Sequence, residues 1–376
     1  MSFIPQVPPP LPPAQVSFTG ERGEFRSMVT KGAALELVTF GFYRFWLATD
    51  IRRHLWANTS LDGDSAEYTG RGKELFIGFL VALAILLPIY LAYFLITIEA
   101  ERLQELASIP LFLAFYAFGQ FAIYRARRYR LTRTIWRGVR FWMDGSGWAY
   151  AGRAMLWGLL LVVTLGLALP WREAALERYK MQHSHYGNLQ GKFDGRGWEF
   201  FKNAWWLWLL SPIALLVFPA LPFLYAEFKA REWRWWLSGI RFGGVRLEST
   251  LPSTAFYGVY WSVIGWSMLF SMIFGAYTGA CTGLVASISG VSFEQVIGPN
   301  SQTSIPLLVL IGIGYLGLAL ALSTVMRVYL QRDLWTVVLA SANVHGIEAA
   351  ANVRAGGELA SALGEGFADG LDVAGF

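Results

Sequence analysis

The chain has 376 residues, of which 55% are hydrophobic and 15% charged, and its formal net charge is +5. Soluble domains usually contain about 25% charged residues, so this composition argues against a soluble globular protein. The single cysteine, Cys281, excludes an intramolecular disulfide and a cysteine-based zinc site. Beside long apolar runs, the basic excess indicates membrane topology and anionic lipid headgroups rather than nucleic acid.

The first predicted element is a proline-rich tail over residues 1–16, expected to be disordered and to contain no cleavable signal. Further along, four uncharged runs are each long enough to cross a bilayer core of about 30 Å. They are Leu75–Ile98, Leu106–Tyr124, Ala255–Tyr277 and Ile305–Met326. We predict that they form two transmembrane hairpins, Leu75–Tyr124 and Ala255–Tyr329, which begin and end in the cytoplasm.

Three shorter apolar segments lie between basic stretches: Phe25–Phe45, Ala149–Pro170 and Ala204–Ala226. Basic residues flank each segment on both sides, and cytoplasmic loops collect Lys and Arg. Each segment also contains a helix breaker, for example Gly41 or Pro212. These features predict re-entrant or strongly bent segments with both ends inside. Ordinary single crossings with an imperfect charge bias are the alternative.

A recurring unit connects these segments. Val38, Gly41, Trp46 and Arg53 recur 125 positions later, without a gap, at Val163, Gly166, Trp171 and Arg178. The unit contains a Gly-x-Gly turn, an apolar helix, an aromatic and basic helix end, and a short strand-like stretch. Its recurring glycines are Gly70, Gly72, Gly145, Gly147, Gly195 and Gly197.

The predicted units cover residues 17–72, 73–147, 148–197, 198–248 and 249–348, followed by a cytoplasmic tail over residues 349–376. Strand-like stretches at Leu61–Tyr68, Val139–Met143 and Ile240–Leu247 predict a small cytoplasmic sheet. The predicted fold class is therefore an all-α polytopic membrane protein built from repeated units. It combines full spans, re-entrant or kinked segments and short β-strand linkers on the cytoplasmic side.

One set of spaced residues resembles the YjgN family of bacterial inner-membrane proteins. The pattern is Val38-Thr39-x-Gly41, Trp46, Arg52-Arg53, Asn58-Thr59 and Gly70-x-Gly72-x-Glu74-x-Phe76. The resemblance extends from Phe18 to about Phe242 and weakens through the last spans. The second copy departs from it, with His183-Ser184 in place of Asn58-Thr59. The resemblance implies a bacterial inner-membrane location and assigns no activity.

The sequence contains no recognisable catalytic constellation. His183 and His185 are two positions apart, so on a helix they would not share a face, and no His-Glu-x-x-His motif occurs. We expect a protein that is not an enzyme and that uses no metal or cofactor. Lys31, Glu36 and Arg153 are the charges predicted within membrane segments, where a functional role is the first hypothesis. Anchoring near a helix end is the alternative.

Arginines adjoin aromatic residues at the predicted helix ends. Guanidinium groups match phosphate oxygens, which predicts headgroup contacts by Arg52, Arg53, Arg128, Arg130, Arg178, Arg231 and Arg234. The predicted aromatic anchors at the membrane interface are Trp46, Trp136, Trp171 and Trp233. The alternative is that these residues only set topology.

Two functions are favoured from these residues. The first is a membrane scaffold or accessory subunit that binds anionic lipids, a partner protein or a second copy of the chain. The alternative is a channel or uncoupled facilitator for a small solute or lipid, because transporters often contain internal repeats. The lack of Asp and Glu inside the four clear runs argues against ion-coupled transport. Nucleic acid is not expected as a partner.

Overall fold

The computed structural model describes residues 12–99, 101–216, 220–290, 292 and 305–361. Within them, ten short strands form a closed antiparallel barrel. The strands are β1 (Ala14–Phe18), β2 (Thr59–Leu61), β3 (Asp64–Tyr68), β4 (Thr134–Trp136), β5 (Val139–Met143), β6 (Ser184–Tyr186), β7 (Leu189–Phe193), β8 (Ile240–Phe242), β9 (Val245–Ser249) and β10 (Ala342–His345). Each strand pairs with the next in the chain, and β10 pairs with β1.

The barrel corrects the predicted fold class. The chain is not an all-α protein with linker strands, because those strands join into one closed β structure. A small open sheet would leave backbone N–H and C=O groups unpaired at its two edges, whereas closure leaves no free edge. The predicted stretch Leu61–Tyr68 is divided between β2 and β3 by a turn at Asp62 and Gly63, both with positive φ.

Helices connect the strands in pairs. They are α1 (Arg22–Val38) and α2 (Arg44–Ala57), α3 (Gly72–Glu99) and α4 (Glu101–Thr132), α5 (Gly147–Val163) and α6 (Leu169–Gln182), α7 (Gly197–Leu216) and α8 (Leu221–Gly239), and α9 (Tyr257–Ser289) and α10 (Ile305–Met326). A π-helical turn, Arg327–Asp333, and α11 (Leu334–Ala340) continue α10 to the last strand. A 3-10 turn, Ile347–Ala350, follows β10.

Every helix pair leaves and re-enters the barrel at the same end. The last residue of one strand pairs with the first residue of the next: Phe18 with Thr59, Tyr68 with Thr134, Met143 with Ser184, Phe193 with Ile240, and Ser249 with Ala342. The helix ends that carry Arg128 and Arg178 therefore lie at the same end of the barrel. The hairpin turns lie at the other end.

The barrel interior is a packed apolar core. Trp136, Tyr186, Val245 and Val344 are buried there in one cluster, to which the other strands add inward-facing residues such as Val16. Alternate positions point outward and are mostly polar, since successive side chains of a strand face opposite sides. Side chains therefore fill the space that a wider barrel would leave as a lumen.

Four helical stretches of the described chain are long and apolar enough to span a membrane: Gly72–Leu95, Ile109–Thr132, Tyr257–Ser289 and Ile305–Ala340. In each stretch, at most 22% of its apolar 18-residue segment is buried inside the protein. Such extensive apolar exposure is expected of a surface that faces lipid. The prediction of four apolar helices of spanning length is confirmed.

Two of the shorter apolar segments reverse direction at similar turns. After α1, Phe40 and Gly41 have φ of +52° and +86°. After α5, Leu165 and Gly166 have φ of +50° and +90°. Glycine tolerates this left-handed backbone, which explains the helix breaker at each site. In the third segment, α7 and α8 pack against each other, and residues 217–219 between them lie outside the described residues.

Both predicted tails overlap ordered structure. β1 occupies Ala14–Phe18, which includes the end of the tail predicted over residues 1–16, while residues 1–11 lie outside the described residues. Beyond β10, Ile347 and Val353 pack onto the barrel core, and Arg133 donates to the carbonyl of Ala360 at 3.4 Å. Residues 362–376 lie outside the described residues.

Candidate anion-binding site

A cavity of about 1210 Å³ lies where α6, α7 and α8 meet the barrel. We call it the basic cavity because six of its lining residues are cationic: Arg178, Lys192, Arg196, Arg231, Arg234 and Arg241. Its acidic lining residues are Asp194 and Glu199. Three of the seven arginines predicted to bind headgroups, Arg178, Arg231 and Arg234, therefore share one site.

Half of these cations already have acidic partners. Arg231 pairs with Glu227 at 2.6 Å. Lys192 and Arg241 both reach Asp194, at 2.9 and 3.5 Å. These pairs lower the positive charge that the cavity offers to a ligand.

The other three cations keep their charge available. Among the described residues, Arg178, Arg196 and Arg234 have no carboxylate within the 4 Å of an ion pair, and all three are exposed. Arg178 only donates to the carbonyl of Gly195, at 3.4 Å. Guanidinium groups bind phosphate and carboxylate oxygens through directed, charge-assisted hydrogen bonds. Three guanidinium groups suited to binding an oxyanion therefore line this one cavity.

The backbone at the start of α7 adds to this positive potential. α7 begins at Gly197, directly after the lining residues Gly195 and Arg196. The first N–H groups of a helix lack intrahelical partners and favour anions. A Cβ at Gly197 would lie 2.8 Å from the Cα of Trp171, so only glycine lets α7 start this close to α6. The second glycine of the Gly-x-Gly motif thus has a packing role.

A comparison with the boundary between α2, α3 and α4 explains why the basic cavity is open. The residue before β4 is Arg133, whose side chain pairs with Glu74 at 2.9 Å. The residue before β8 is Gly239. The carbonyl groups of Arg133 and Gly239 accept equivalent backbone hydrogen bonds, from Thr69 N and from Asp194 N respectively. The Phe193 ring lies next to Gly239, where a Cβ would be only 2.4 Å from it. No arginine side chain therefore extends from this position toward Glu199, which corresponds to Glu74 and lines the cavity.

The model of a bacterial protein family of unknown function, DUF898, matches residues 13–232 and 212–368. The chain belongs to the DUF898 family. DUF898 is the YjgN family, so the resemblance predicted from the sequence is confirmed. Comparisons with curated proteins and with solved structures gave no match.

The remaining predicted headgroup residues of this DUF898 protein do not gather in the basic cavity. Arg52 is only 6% exposed and donates to the hydroxyl of Tyr68 at 3.3 Å. Arg53 donates to the carbonyl of Gly70 at 2.7 Å, the counterpart of the bond from Arg178 to Gly195. Arg128 and Arg130 lie on α4, away from the cavity lining.

The predicted aromatic anchors lie in different environments. Trp136 is inside the barrel, where its indole donates to the carbonyl of Asp64 at 3.2 Å, so its position in β4 makes it a core residue. Trp46 and Trp171 pack against the start of the next helix at Gly72 and Gly197. Trp233 contacts Trp236 within the protein.

The three charges predicted within membrane segments also differ. Glu36 forms an ion pair with Arg327 at 2.8 Å. Arg153 lies over the ring of Tyr179, with 4.2 Å between the guanidinium carbon and the ring centroid. Lys31 is exposed and has no ion pair with a described residue.

A buried ion network on α6 was missed by the sequence analysis. Glu177 pairs with Lys180 on its own helix and with Arg127 of α4, at 3.1 Å in the second case. Burial alone would raise the pKa of Glu177, but the charges of Lys180 and Arg127 outweigh it and lower the pKa to about 2. Burial also raises the pKa of the neighbouring Glu173. The spacing of Glu173, Glu177 and Lys180 along one helix face is the signal that could have identified this network.

Proposed function

We propose that this protein binds the phosphate group of anionic lipids in the basic cavity and acts as a scaffold or accessory subunit of the bacterial inner membrane. The observation that carries the proposal is that Arg178, Arg196 and Arg234, from three parts of the chain, line one cavity without acidic partners among the described residues. The four apolar helices support a membrane location.

The proposed orientation places the barrel and its basic helix ends in the cytoplasm. Positive charge is retained on that side of bacterial membranes, and the anionic headgroups of the inner leaflet are its natural partners. The basic cavity opens at the helix end of the barrel, and exposed apolar side chains such as Trp205 and Phe223 lie farther from the barrel on α7 and α8. Headgroups would therefore lie at the level of the arginines.

The facilitator function receives less support. A path along the barrel axis would have to pass the buried cluster of Trp136, Tyr186 and Val344. Displacing such a core costs several kcal/mol per large side chain, about 3–5 kcal/mol for an aromatic residue. This core blocks a path through the barrel, whereas the basic cavity offers a site for an anion, so lipid binding is the function that we propose.

The test compares lipid retention by two triple variants in nanodiscs and by native mass spectrometry. Replacing Arg178, Arg196 and Arg234 by Gln should weaken binding of phosphatidylglycerol at least about tenfold, since each charge-assisted hydrogen bond contributes about 1.5–3 kcal/mol. A matched control replaces the exposed cations Arg26, Lys31 and Lys73 by Gln, which removes the same net charge away from the cavity. The control should bind as the wild type does.

Two further outcomes are decisive. Equal binding by the wild type and the cavity variant would overturn the proposal. Displacement of the lipid by millimolar inorganic phosphate, with tight binding of that ion alone, would assign the cavity to a free phosphate compound and would also overturn the lipid assignment.

A further inference from the structure

A second cavity lies on the same helix pair as the basic cavity. It has a volume of about 280 Å³ and is lined by residues of α7, α8 and the turn between α5 and α6. We call it the apolar pocket, because residues such as Leu167, Ala204, Leu207, Leu224 and Phe228 line it. Its occupant must therefore offer an apolar surface of its own.

Two polar side chains that line the apolar pocket are already hydrogen-bonded within the protein. The Ser211 hydroxyl donates to the carbonyl of Trp208 at 2.7 Å. The Trp208 indole donates to the carbonyl of Leu165 at 3.2 Å. A polar ligand would find few free partners here and would lose its own hydration, which is unfavourable. A hydrocarbon chain would lose only water contacts.

The linings of the two cavities meet at an aromatic contact. Phe200 lines the basic cavity, Phe228 lines the apolar pocket, and their ring centroids are 5.6 Å apart. Asn203 and Ala204, adjacent on α7, also line different cavities. One molecule with a charged end and an apolar end would have to pass this contact to reach both sites, and the contact belongs to a buried cluster that includes Ala204 and Leu207.

The polarity of the helix pair fits the orientation of a membrane lipid. α7 starts and α8 ends at the barrel, so Arg231 and Arg234 are near the barrel and Leu224 is farther from it. On the same helices, Leu209 and Ile213 are 56% exposed, as expected for side chains that face lipid. If a phosphate bound in the basic cavity, a chain attached to it would extend along α7 and α8 toward the bilayer.

We infer that the ligand of this protein is a phosphate-bearing lipid whose acyl chain occupies the apolar pocket while its phosphate occupies the basic cavity. The inference rests on the proposed function and specifies its ligand class. It favours a lipid over water-soluble phosphate compounds, which have no group for the apolar pocket and should bind more weakly.

The experiment uses the full-length protein in nanodiscs with two probes, dodecyl phosphate and glycerol 3-phosphate, which share a phosphate and differ in the alkyl chain. Dodecyl phosphate should bind at least about tenfold more tightly, a difference that corresponds to about 1.4 kcal/mol. Leu224→Trp, which fills the apolar pocket, should remove this difference and leave the binding of glycerol 3-phosphate unchanged. The triple variant of Arg178, Arg196 and Arg234 should lose both probes.

A measurement without any substitution guards against misfolding of the filled variant. A lipid phosphate with a photoreactive diazirine at the end of its chain should cross-link to α7 or α8 residues of the apolar pocket, such as Trp208 or Phe228. Equal affinity for the two probes, or cross-links confined to other helices, would overturn the inference and leave phosphate binding intact. Failure of both probes to bind would instead refute the proposed function.

Discussion

Arg327 donates from Nη2 to both carboxylate oxygens of Glu36, at 2.8 Å each, across 291 positions of sequence. Its Nη1 donates to the Ser323 hydroxyl at 2.7 Å. The side chains of Glu36 and Arg327 are only 15% and 19% exposed, so water screens their attraction weakly. The pair therefore ties the first helix of the chain to the last apolar span.

We expect Glu36→Gln to lower the free energy of unfolding by about 3 kcal/mol, because it leaves a largely buried arginine without its carboxylate. The measurement is the denaturant titration of the purified protein in detergent. Lys31→Gln is the control, and since Lys31 is exposed it should change stability by less than about 0.5 kcal/mol. The double variant Glu36→Gln, Arg327→Gln should lose less stability than the sum of the losses in the two single variants. Strictly additive losses would contradict the pairing.

Glu177 should make stability depend on acid pH. Its pKa is lowered from 4.5 to about 2, so the folded protein favours the ionised carboxylate. The resulting stabilisation is complete above pH 4.5 and is lost as the pH falls toward 2. Glu177→Gln should therefore destabilise the protein at pH 7, and the difference from wild type should shrink below pH 4.5. Melting curves from pH 7 to pH 3 give this difference, with Glu67→Gln on the exposed barrel surface as the control.

Because the ten strands form one closed barrel, a water-soluble reagent should reach all of its exposed outer residues from the same side of the membrane. Ser65 on β3 and Arg246 on β9 are exposed, and cysteines there should react with a water-soluble maleimide only from the cytoplasmic side. The background is Cys281→Ala, which removes the buried native thiol. Labelling of the two positions from opposite sides would be incompatible with the barrel.

The tips of the short helix pairs should be shielded. Phe40 is 94% exposed and Leu165 is 82% exposed in the isolated protein, yet neither tip carries a charged side chain. If these pairs enter the bilayer from the cytoplasm, cysteines at both tips should resist the maleimide from either side until detergent is added. Labelling of a tip from the periplasm would instead support a full crossing.

Trp335 of α11 joins the last unit to the first and should stabilise the closed barrel. It stacks on Trp56 with 5.1 Å between ring centroids, and its indole donates to the Thr59 hydroxyl at 3.0 Å. Trp335→Ala should lower the free energy of unfolding by about 2 kcal/mol. This is less than the loss of about 3–5 kcal/mol when a fully buried aromatic residue is replaced by Ala, because the Trp335 ring is half-buried. Trp335→Phe keeps the ring contact and should cost about 1 kcal/mol for the hydrogen bond. Equal melting temperatures for the two variants would contradict a role of the ring in closure.

The apolar helices were predictable because their signal is local. A run such as Ile305–Met326 contains more than enough apolar residues for a span, whatever the remaining chain does. The Gly-x-Gly turns were visible for the same reason, since the need for Gly72 and Gly197 arises from neighbouring segments that recur at a constant spacing.

The barrel and the basic cavity were much harder to predict. β2, β4, β6 and β8 have only three residues each, too few for alternation to distinguish them from turns. Their pairing is also distant in sequence, as for Ser249 with Ala342, and no local pattern encodes such a register. Trp136 illustrates the consequence, because an aromatic residue beside arginines fits a membrane interface and a barrel core equally well in the sequence.

The sequence by itself determined the four apolar helices of spanning length, the helix breakers and the supply of arginines at the helix ends, because each depends on side chains that are close together along the chain. Only the tertiary structure decided which arginines meet. Closure of the barrel places Arg178 and Arg234 in the lining of one cavity and leaves Arg52 buried against Tyr68, since strand pairing sets where each helix end lies around the barrel. Ligand binding depends on that convergence in space.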